Sequence, residues 1–298
     1  MAIIPFDDRD GVIWFDGEMV EWRSAKVHML NHGLHYASSV FEGERAYNGQ
    51  IFESEWHTRR FRESARILDF QIPYTDEELI AAKQQVLEAS GIIDGYIRPV
   101  AWRGSEMMAV SAQHATTHVA IAAWEWPSYF DPETKMKGIT LDIASWKRPS
   151  PETAPVHAKA AGLYMICTMS KHEAERKGFH DAMMLDYRGY VAEATGANVF
   201  FLMNDGKVHT PNPDCFLNGI TRQTVIKLLE SMGLEVVERH ILPEDLANAT
   251  ECFLTGTAAE VTPVSQVGEG TEIQHPHLFK NLLKLYILLC ICPNSHDK

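Results

Sequence analysis

The sequence Val156-His157-Ala158-Lys159-Ala160-Ala161-Gly162-Leu163-Tyr164 presents one lysine among small apolar residues, between a predicted strand (Ile139–Trp146) and a predicted helix (Leu163–Lys177). No acidic residue flanks Lys159 in this stretch. An amine in such surroundings is partly desolvated, and desolvation disfavours its charged form. The stretch therefore predicts a loop lysine whose free amine can act as a nucleophile, although most loop lysines are simply exposed.

Three motifs downstream of this lysine contain a lone carboxylate or a glycine–threonine turn. Glu193 lies in an otherwise small and apolar stretch, Gly189-Tyr190-Val191-Ala192-Glu193-Ala194-Thr195-Gly196-Ala197-Asn198. Asn218-Gly219-Ile220-Thr221-Arg222 precedes a predicted helix, which aims backbone N–H groups at an anion. Thr255-Gly256-Thr257-Ala258-Ala259-Glu260 follows a predicted strand and adds hydroxyl donors. Each motif alone also fits an ordinary surface carboxylate or helix cap.

Together, these groups can hold a phosphorylated pyridine aldehyde. The amine condenses with the aldehyde, the carboxylate pairs with the ring nitrogen, and the turns bind the phosphate. In this order and wording the motifs resemble the branched-chain aminotransferases, the fold-type IV family of pyridoxal phosphate (PLP) enzymes. The resemblance covers roughly residues 10–265.

The chain is predicted to be mixed α/β (α+β) with two unequal domains. Its length allows two domains, and proline and charge cluster at residues 127–137, which we interpret as an interdomain linker. The resemblance implies a fold-type IV architecture, with a smaller N-terminal α/β domain over residues 1–126. The larger C-terminal domain, residues 138–298, would be a pseudo-barrel that binds PLP.

The resemblance assigns a role in cofactor binding to each motif. Lys159 would bind PLP covalently and then move the proton between the substrate Cα and the cofactor C4′. Tyr164 would hydrogen-bond the phenolic oxygen of the cofactor, and Glu193 would pair with its ring nitrogen. The phosphate would be bound by Arg60, Gly219, Ile220, Thr221 and Thr257. Arg60 has Arg59 and Arg62 as neighbours, so a shift of register is an alternative.

Two motifs in the first half match patterns of the aminotransferase branch, namely Phe41-Glu42-Gly43-Glu44-Arg45 and Tyr96-Ile97-Arg98. Arg98 would bind the second carboxylate of glutamate or 2-oxoglutarate, because a pocket that accepts both leucine and glutamate needs a charged group at its far edge. The apolar wall would be formed by Tyr36, Phe41, Trp126 and Tyr129. The α-carboxylate would be bound by Tyr96 and by the backbone N–H groups of Thr257 and Ala258.

The implied reaction is transamination of L-leucine, L-isoleucine and L-valine with 2-oxoglutarate, giving branched-chain 2-oxo acids and L-glutamate. A D-amino acid aminotransferase is expected to carry an arginine–x–histidine pair, whereas Arg98 is followed by Pro99 and Val100. An (R)-amine transaminase stays an alternative, because Met107-Met108 replaces the family's glycine-rich loop. Tyr96 and Arg98 argue against an aminodeoxychorismate lyase. A PLP-binding scaffold without activity is disfavoured by the intact lysine and carboxylate.

Composition excludes several other classes of protein. The formal charge of −13 gives no basic surplus for binding nucleic acid. The N-terminus turns acidic at Asp7-Asp8 before an apolar signal could form, so we expect a cytoplasmic protein. The apolar run Leu278–Leu289 is short and contains Lys280 and Lys284, which predicts a docked amphipathic helix rather than a membrane anchor.

The five cysteines predict buried, reduced thiols, and no metal site is expected. Cys290-Ile291-Cys292 lacks the second ligand pair of a zinc site. The tail after Gly270 departs from the family pattern, and no function is assigned to it. Because family sites are completed by a partner's loop, the resemblance implies a homodimer or a larger even homo-oligomer that acts on small molecules.

Local patterns also predict individual elements of the first half. Asp16-Gly17 and Asn48-Gly49 predict tight hairpin turns, since both pairs tolerate positive φ. A helix is predicted near Glu55–Leu68 with Ser54 as its N-cap. Another is predicted over Asp76–Ser90, where Thr75 and Glu78 would form a capping box.

Overall fold

The computed structural model describes residues 4–126, 133, 137–273 and 277–291, which confirm the predicted mixed α/β class. The chain divides into two compact units. The first comprises Met1–Pro127 with Ala158–Gly162, and the second comprises Ser128–His157 with Leu163–Lys298. The predicted domain bounds and the linker at 127–137 stay predictions.

The first unit contains an antiparallel sheet with helices packed on it. Within the described residues this sheet has seven strands in the order β2-β1-β7-β6-β4-β5, and β3 pairs with β6. The strands are β1 Val12–Phe15, β2 Glu18–Glu21, β3 Ser39–Phe41, β4 Glu44–Tyr47, β5 Gln50–Ile51, β6 Gly95–Arg103 and β7 Thr117–Glu125. The helices are α1 His32–Tyr36, α2 Ser54–Ile67 and α3 Asp76–Ala89. The core includes Phe61, Leu79, Val86, Ile97 and Ile121.

The two predicted hairpin turns are confirmed. Asp16 and Gly17 have φ values of 49° and 99°, and they join β1 to β2. Asn48 and Gly49 have φ values of 50° and 77°, and they join β4 to β5. Both central residues of each turn therefore adopt the left-handed conformation that matches the twist of the strands.

Of the two N-caps predicted for helices in this unit, that of α3 is confirmed and that of α2 is wrong. Thr75 and Glu78 form the predicted capping box of α3. Ser54, however, is not the N-cap of α2 but its first residue. The N-cap is Glu53, which has a φ of 52° and makes no side-chain cap, so the left-handed backbone turns the chain into the helix one residue earlier than predicted.

A buried lysine joins α3 to both α2 and β4. Lys83 Nζ donates to both carboxylate oxygens of Glu44 at 2.9 Å, to Thr58 Oγ1 at 2.7 Å and to the Ser54 carbonyl at 3.2 Å. The side chains of Lys83 and Glu44 are 2% and 0% exposed. Two such groups are stable in the interior only as a pair, so this contact fixes both helices on the strand.

The second unit contains a sheet that curls into a half-barrel, in agreement with the predicted pseudo-barrel. Within the described residues it has nine strands in the order β10-β9-β8-β15-β14-β11-β12-β13, and β16 pairs with β15. The strands are β8 Ile139–Ile143, β9 Asp181–Leu185, β10 Val191–Ala194, β11 Asn198–Met203, β12 Val208–Pro211, β13 Val236–Arg239, β14 Ala249–Gly256, β15 Glu260–Val267 and β16 Thr271–Glu272. The helices are α4 Tyr164–Arg176, α5 Ile220–Ser231 and α6 His277–Ile291.

The C-terminal helix α6 is docked within this unit, as predicted. Leu282, Tyr286 and Cys290 recur every four residues and are 0%, 2% and 2% exposed, so one face of the helix is buried. Among the described residues, no helix is both long enough and apolar enough to cross a bilayer. The described cysteines are buried and free, as expected.

We predict that Lys83→Met lowers the free energy of unfolding by about 3–5 kcal/mol, because it leaves the Glu44 carboxylate buried without its cation. Urea-induced unfolding followed by circular dichroism measures this change. The double variant Lys83→Met/Glu44→Gln serves as the matched control and should recover much of the loss. A single variant within about 1 kcal/mol of the wild type would contradict the assigned role.

Candidate active site

The main chain of Lys159 is fixed from both sides within the first unit. Its N–H donates to Ser64 Oγ at 2.9 Å, and its carbonyl accepts from the Phe41 N–H at 3.1 Å. The next residue, Ala160, forms a β-bridge with Val40. The side chain of Lys159 is half-buried, and its Nζ lies 4.9 Å from the centroid of the Phe41 ring. The predicted nucleophile thus extends from a rigid main chain beside an aromatic face.

The same phenyl ring contacts the arginine predicted to bind a second carboxylate. Arg98 Cζ lies 4.7 Å from the Phe41 centroid, and Arg98 Nη2 donates to the Tyr96 hydroxyl at 3.2 Å. Arg98 Nε is buried and has no hydrogen-bond partner among the residues that the structure describes. A buried guanidinium donor without a partner is costly, so this atom suits an anionic ligand.

Gly43 is required by its contact with Tyr96. A Cβ at this position would lie 1.8 Å from the Tyr96 hydroxyl oxygen and 2.7 Å from Cζ, so any side chain would displace the ring. Arg45 is buried, pairs with Tyr96 across β4 and β6, and lies over the Tyr47 ring. Trp126 packs on Tyr96 with 5.4 Å between ring centroids. The two sequence motifs are therefore adjacent in the sheet.

Two further residues were predicted for the apolar wall, Tyr36 and Tyr129. Tyr36 lies on α1, where its ring stacks on His32 with a centroid distance of 4.6 Å. Its side chain is 44% exposed. Tyr129 lies outside the described residues. The structure therefore brings Phe41 and Trp126 next to the Tyr96–Arg98 motif, whereas the described ring contact of Tyr36 is with His32.

The geometry of α2 distinguishes Arg60 from its two neighbouring arginines. Arg60 Nε and Nη2 each donate at 2.7 Å to the carboxylate of Glu42, which is fully buried. Arg59 instead forms an exposed pair with Glu55 on the helix surface. Arg62 pairs with Asp76 and donates to the Tyr74 carbonyl. Only Arg60 of the three is thus oriented by a buried carboxylate, a contact that the sequence did not predict.

Glu42 is ionised in spite of its burial. Burial by itself raises the pKa of this carboxyl, but Arg60 and His57 outweigh that effect and hold the pKa well below its usual range. His57 Nδ1 donates to Glu42 Oε2 at 2.8 Å and is itself buried. The carboxylate therefore has three charge-assisted hydrogen bonds, which keep the Arg60 guanidinium in one orientation.

In the second unit, the predicted ring-nitrogen partner Glu193 is held by two residues. Arg148 Nε lies 3.3 Å from Glu193 Oε1, and the two side chains are 5% and 12% exposed. Asn198 Nδ2 donates to Glu193 Oε2 at 3.3 Å. Burial lowers the pKa of Arg148, yet Glu193 and other nearby groups raise it overall, so the guanidinium stays charged. The sequence did not point to Arg148, because no motif surrounds it.

The start of α5 is suited to binding an anion. Its N-cap, Gly219, makes no side-chain cap, and the first turn has no acidic residue. Ile220 and Thr221 are buried in that turn. The Gly219 N–H donates to Asn198 Oδ1 at 3.2 Å, and a Cβ on Gly219 would lie 2.2 Å from that oxygen. The backbone N–H groups of the first turn and the helix dipole therefore favour a phosphate here.

Thr257, Ala258 and Tyr164 lie at element boundaries of the same unit. Thr257 and Ala258 are half-buried in the short turn between β14 and β15. Thr255 Oγ1, just before that turn, is buried and has no hydrogen-bond partner within the described part of the chain. Tyr164 is the first residue of α4, half-buried and close enough to Arg148 to interact with its charge.

A tyrosine of the C-terminal helix contacts the predicted phosphate site, and the sequence did not predict this contact. Tyr286 on α6 is 2% exposed, and its hydroxyl forms a hydrogen bond with Thr221 at the start of α5. Burial raises the pKa of this phenol well above its ordinary value. The spacing of the apolar residues predicted a docked helix, but it gave no indication that the helix supports a residue of the predicted phosphate site.

We predict that Glu42→Gln lowers the free energy of unfolding at pH 7 by about 3–5 kcal/mol, since it leaves Arg60 without its carboxylate. The folded pKa of Glu42 is depressed, so its stabilisation is complete above the ordinary value of 4.5 and is lost as the pH falls towards the folded pKa. The unfolding free energy should therefore fall more steeply between pH 7 and pH 3 in the wild type than in Glu42→Gln. Glu55→Gln, which changes an exposed pair, is the control, and parallel curves for Glu42→Gln would contradict the prediction.

Comparison with known proteins identifies the family of this chain. Residues 39–267 match the family model described as Amino-transferase class IV. The branched-chain-amino-acid aminotransferase of Pseudomonas aeruginosa is 42% identical over 270 residues, which cover 89% of this chain and 87% of the relative. The crystal structure of the Escherichia coli branched-chain amino acid aminotransferase has a TM-score of 0.92 at 36% identity and covers 97% of each chain. The Thermobaculum terrenum enzyme, solved in its PLP-form, has a TM-score of 0.86 at 29% identity, with 95% of this chain and 94% of that chain covered. This chain belongs to the class IV aminotransferase family and is an enzyme of that family.

Proposed function

We propose that this enzyme uses PLP to transfer the amino group of L-leucine, L-isoleucine or L-valine to 2-oxoglutarate. The products are the branched-chain 2-oxo acids and L-glutamate. The observation that carries this proposal is the shared Phe41 ring, whose centroid lies 4.9 Å from Lys159 Nζ and 4.7 Å from Arg98 Cζ. An amine, an apolar face and a guanidinium within this distance suit both an aliphatic side chain and a side chain that ends in a carboxylate.

The proposed residues match the chemical groups of PLP. Lys159 supplies the amine for its aldehyde, and Tyr164 the hydroxyl for its phenolic oxygen. Glu193, whose Oε1 lies 3.3 Å from Arg148 Nε, is the proposed partner for a protonated ring nitrogen. The proposed phosphate ligands are Arg60, Gly219, Ile220, Thr221 and Thr257. The uncapped start of α5 and the buried Thr255 hydroxyl support an anion at this position.

Each proposed step is assigned to a residue of this chain. When bound, the cofactor supplies an aldehyde for the amino group and a ring that accepts the electrons released at the substrate α-carbon. Lys159 Nζ would take the proton from the α-carbon of the amino donor and deliver it to the cofactor C4′, and with 2-oxoglutarate it would carry a proton from C4′ to the α-carbon of the acceptor. Glu193 holds a negative charge for the ring nitrogen, which keeps the ring electron-poor. These roles require a neutral amine at Lys159 and a negatively charged carboxylate at Glu193.

Substrate recognition is assigned to three sets of groups. The α-carboxylate is bound by Tyr96 and by the backbone N–H groups of Thr257 and Ala258. The aliphatic side chain packs on an apolar wall proposed to consist of Tyr36, Phe41, Trp126 and Tyr129. Arg98 binds the second carboxylate of glutamate or 2-oxoglutarate, which supports the choice of co-substrate because its Nε lacks a partner among the described residues. The proposal includes a cytoplasmic homodimer or larger even homo-oligomer.

The absorption spectrum of the purified protein with PLP tests the cofactor and the substrate together. We expect a yellow protein that L-leucine bleaches, and Lys159→Ala should lower the transamination rate at least about 100-fold because the proton-transfer group is lost. Lys147→Ala, which changes an exposed lysine earlier in the chain, is the matched control. A yellow protein that ignores L-leucine and bleaches with (R)-1-phenylethylamine or D-alanine would replace the substrate class. A protein that stays colourless with PLP would overturn the cofactor.

We predict that Arg98→Met affects the two half-reactions unequally. Loss of a charged hydrogen bond should lower kcat/KM for L-glutamate and 2-oxoglutarate about 10- to 100-fold, whereas L-leucine should change much less. Arg103→Met, which alters another arginine of the same strand, is the control. Rapid-mixing absorbance of each half-reaction measures the difference. Equal losses for leucine and glutamate would contradict the role of Arg98.

A further inference from the structure

The side chain of Asn198 joins two parts of the second unit that have separate roles in the proposed function. Its Nδ2 donates to Glu193 Oε2 at 3.3 Å and to the Leu217 carbonyl at 3.1 Å. Its Oδ1 accepts from the Gly219 N–H at 3.2 Å. The residue is 5% exposed, so these contacts are made away from water. One amide therefore bridges a carboxylate and a helix N-cap.

The chemistry of the partners fixes the orientation of this amide. The carboxylate of Glu193 and the carbonyl of Leu217 only accept hydrogen bonds, whereas the Gly219 N–H only donates one. The NH₂ group must therefore face the first two, and the carbonyl oxygen must face the third. A reversed amide would lose all three contacts, and an acid at this position would keep only the bond from Gly219.

The backbone around Asn198 leaves the side chain little freedom. Asn198 is the first residue of β11 and pairs with Thr255 on β14. Just before it, the Ala194 N–H donates to the Ala197 carbonyl at 2.8 Å and closes the turn from β10. On the other side, Gly219 approaches so closely that a Cβ would lie 2.2 Å from Asn198 Oδ1. The distance between Glu193 and the start of α5 is therefore set through this side chain.

We infer that Asn198 is a positioning residue that holds the ring-nitrogen carboxylate at a fixed spacing from the phosphate-binding end of α5. This inference rests on the proposed function, in which Glu193 pairs with the PLP ring and the first turn of α5 binds its phosphate. Asn198 acts through Glu193 and Gly219. Because the rigid pyridine ring and its short phosphate arm limit the distance between the ring nitrogen and the phosphate, a fixed spacing between the two ligand sets favours binding of PLP by preorganisation.

Asn198→Asp keeps the contact with Gly219 and removes the hydrogen bond to Glu193. It retains an oxygen for the Gly219 N–H but places a second carboxylate against Glu193, where like charges repel. We expect the dissociation constant for PLP to rise about 10- to 100-fold, the effect of losing a hydrogen bond to a charged group. We also expect the pH dependence of the visible band of bound PLP to shift, because the charge beside the ring nitrogen changes.

Two further variants distinguish positioning from a general loss of stability. Thr210→Val removes a buried hydroxyl that donates to the Val199 carbonyl at 2.8 Å, and it should lower thermal stability without changing PLP affinity. The exchanged pair Glu193→Gln/Asn198→Asp restores a donor opposite an acceptor. It should recover part of the thermal stability that Asn198→Asp loses in the PLP-free protein, because the two carboxylates no longer repel, while PLP stays weakly bound, since position 193 is then uncharged.

The PLP affinities of the wild type and the variants decide whether Asn198 is a positioning residue. An Asn198→Asp protein that binds PLP within about twofold of the wild type, with an unchanged pH dependence of the band, would overturn the inference and leave the proposed function intact. A PLP affinity that falls equally in Thr210→Val and Asn198→Asp would reduce Asn198 to a structural residue. A wild-type protein that does not bind PLP would overturn the proposed function and the inference with it.

Discussion

The main chain of Lys159 is held by one hydrogen bond to Ser64 and one from Phe41, and the functional residues of the first unit are arranged around these two contacts. Ser64 lies one helical turn after Arg60 on α2, so the same helix fixes the lysine and carries the arginine. Phe41 is followed by Glu42, which holds the Arg60 guanidinium. One helix and one strand thereby set the positions of an amine, a guanidinium and an aromatic ring.

Buried carboxylates couple the folding of this unit to the assembly of its functional residues. Glu42 and Glu44 are both fully buried, and each is paired with a cation from a different helix, Arg60 on α2 and Lys83 on α3. A carboxylate buried without its cation is strongly destabilising. The motif Phe41–Arg45 is therefore stable only when both helices are docked, and docking of α2 in turn places Arg60 and Ser64.

The second unit follows the same physical rule with a different set of residues. Glu193 is paired with Arg148, and Asn198 connects it to the N-cap Gly219. The C-terminal helix adds the Tyr286 hydroxyl to Thr221, so a tail without a recognisable motif supports the first turn of α5. Polar groups in the interior are satisfied by residues far apart in the chain, and this is why the geometry of the unit is specific.

The sequence by itself determined the features that depend on neighbouring residues. The turn at Asn48-Gly49 and the capping box of Thr75 follow from local backbone preferences, and the ordered motifs around Lys159 and Glu193 pointed to the family. Only the tertiary structure decided which cation faces Glu193, which arginine of α2 is held by Glu42, that Tyr286 reaches Thr221, and that Tyr36 stacks on His32. Some of these pairs join residues that are distant in the sequence, and others depend on a choice between neighbouring residues of the same type. Burial and charge select them once the sheets and helices have packed, and no local sequence pattern encodes that packing.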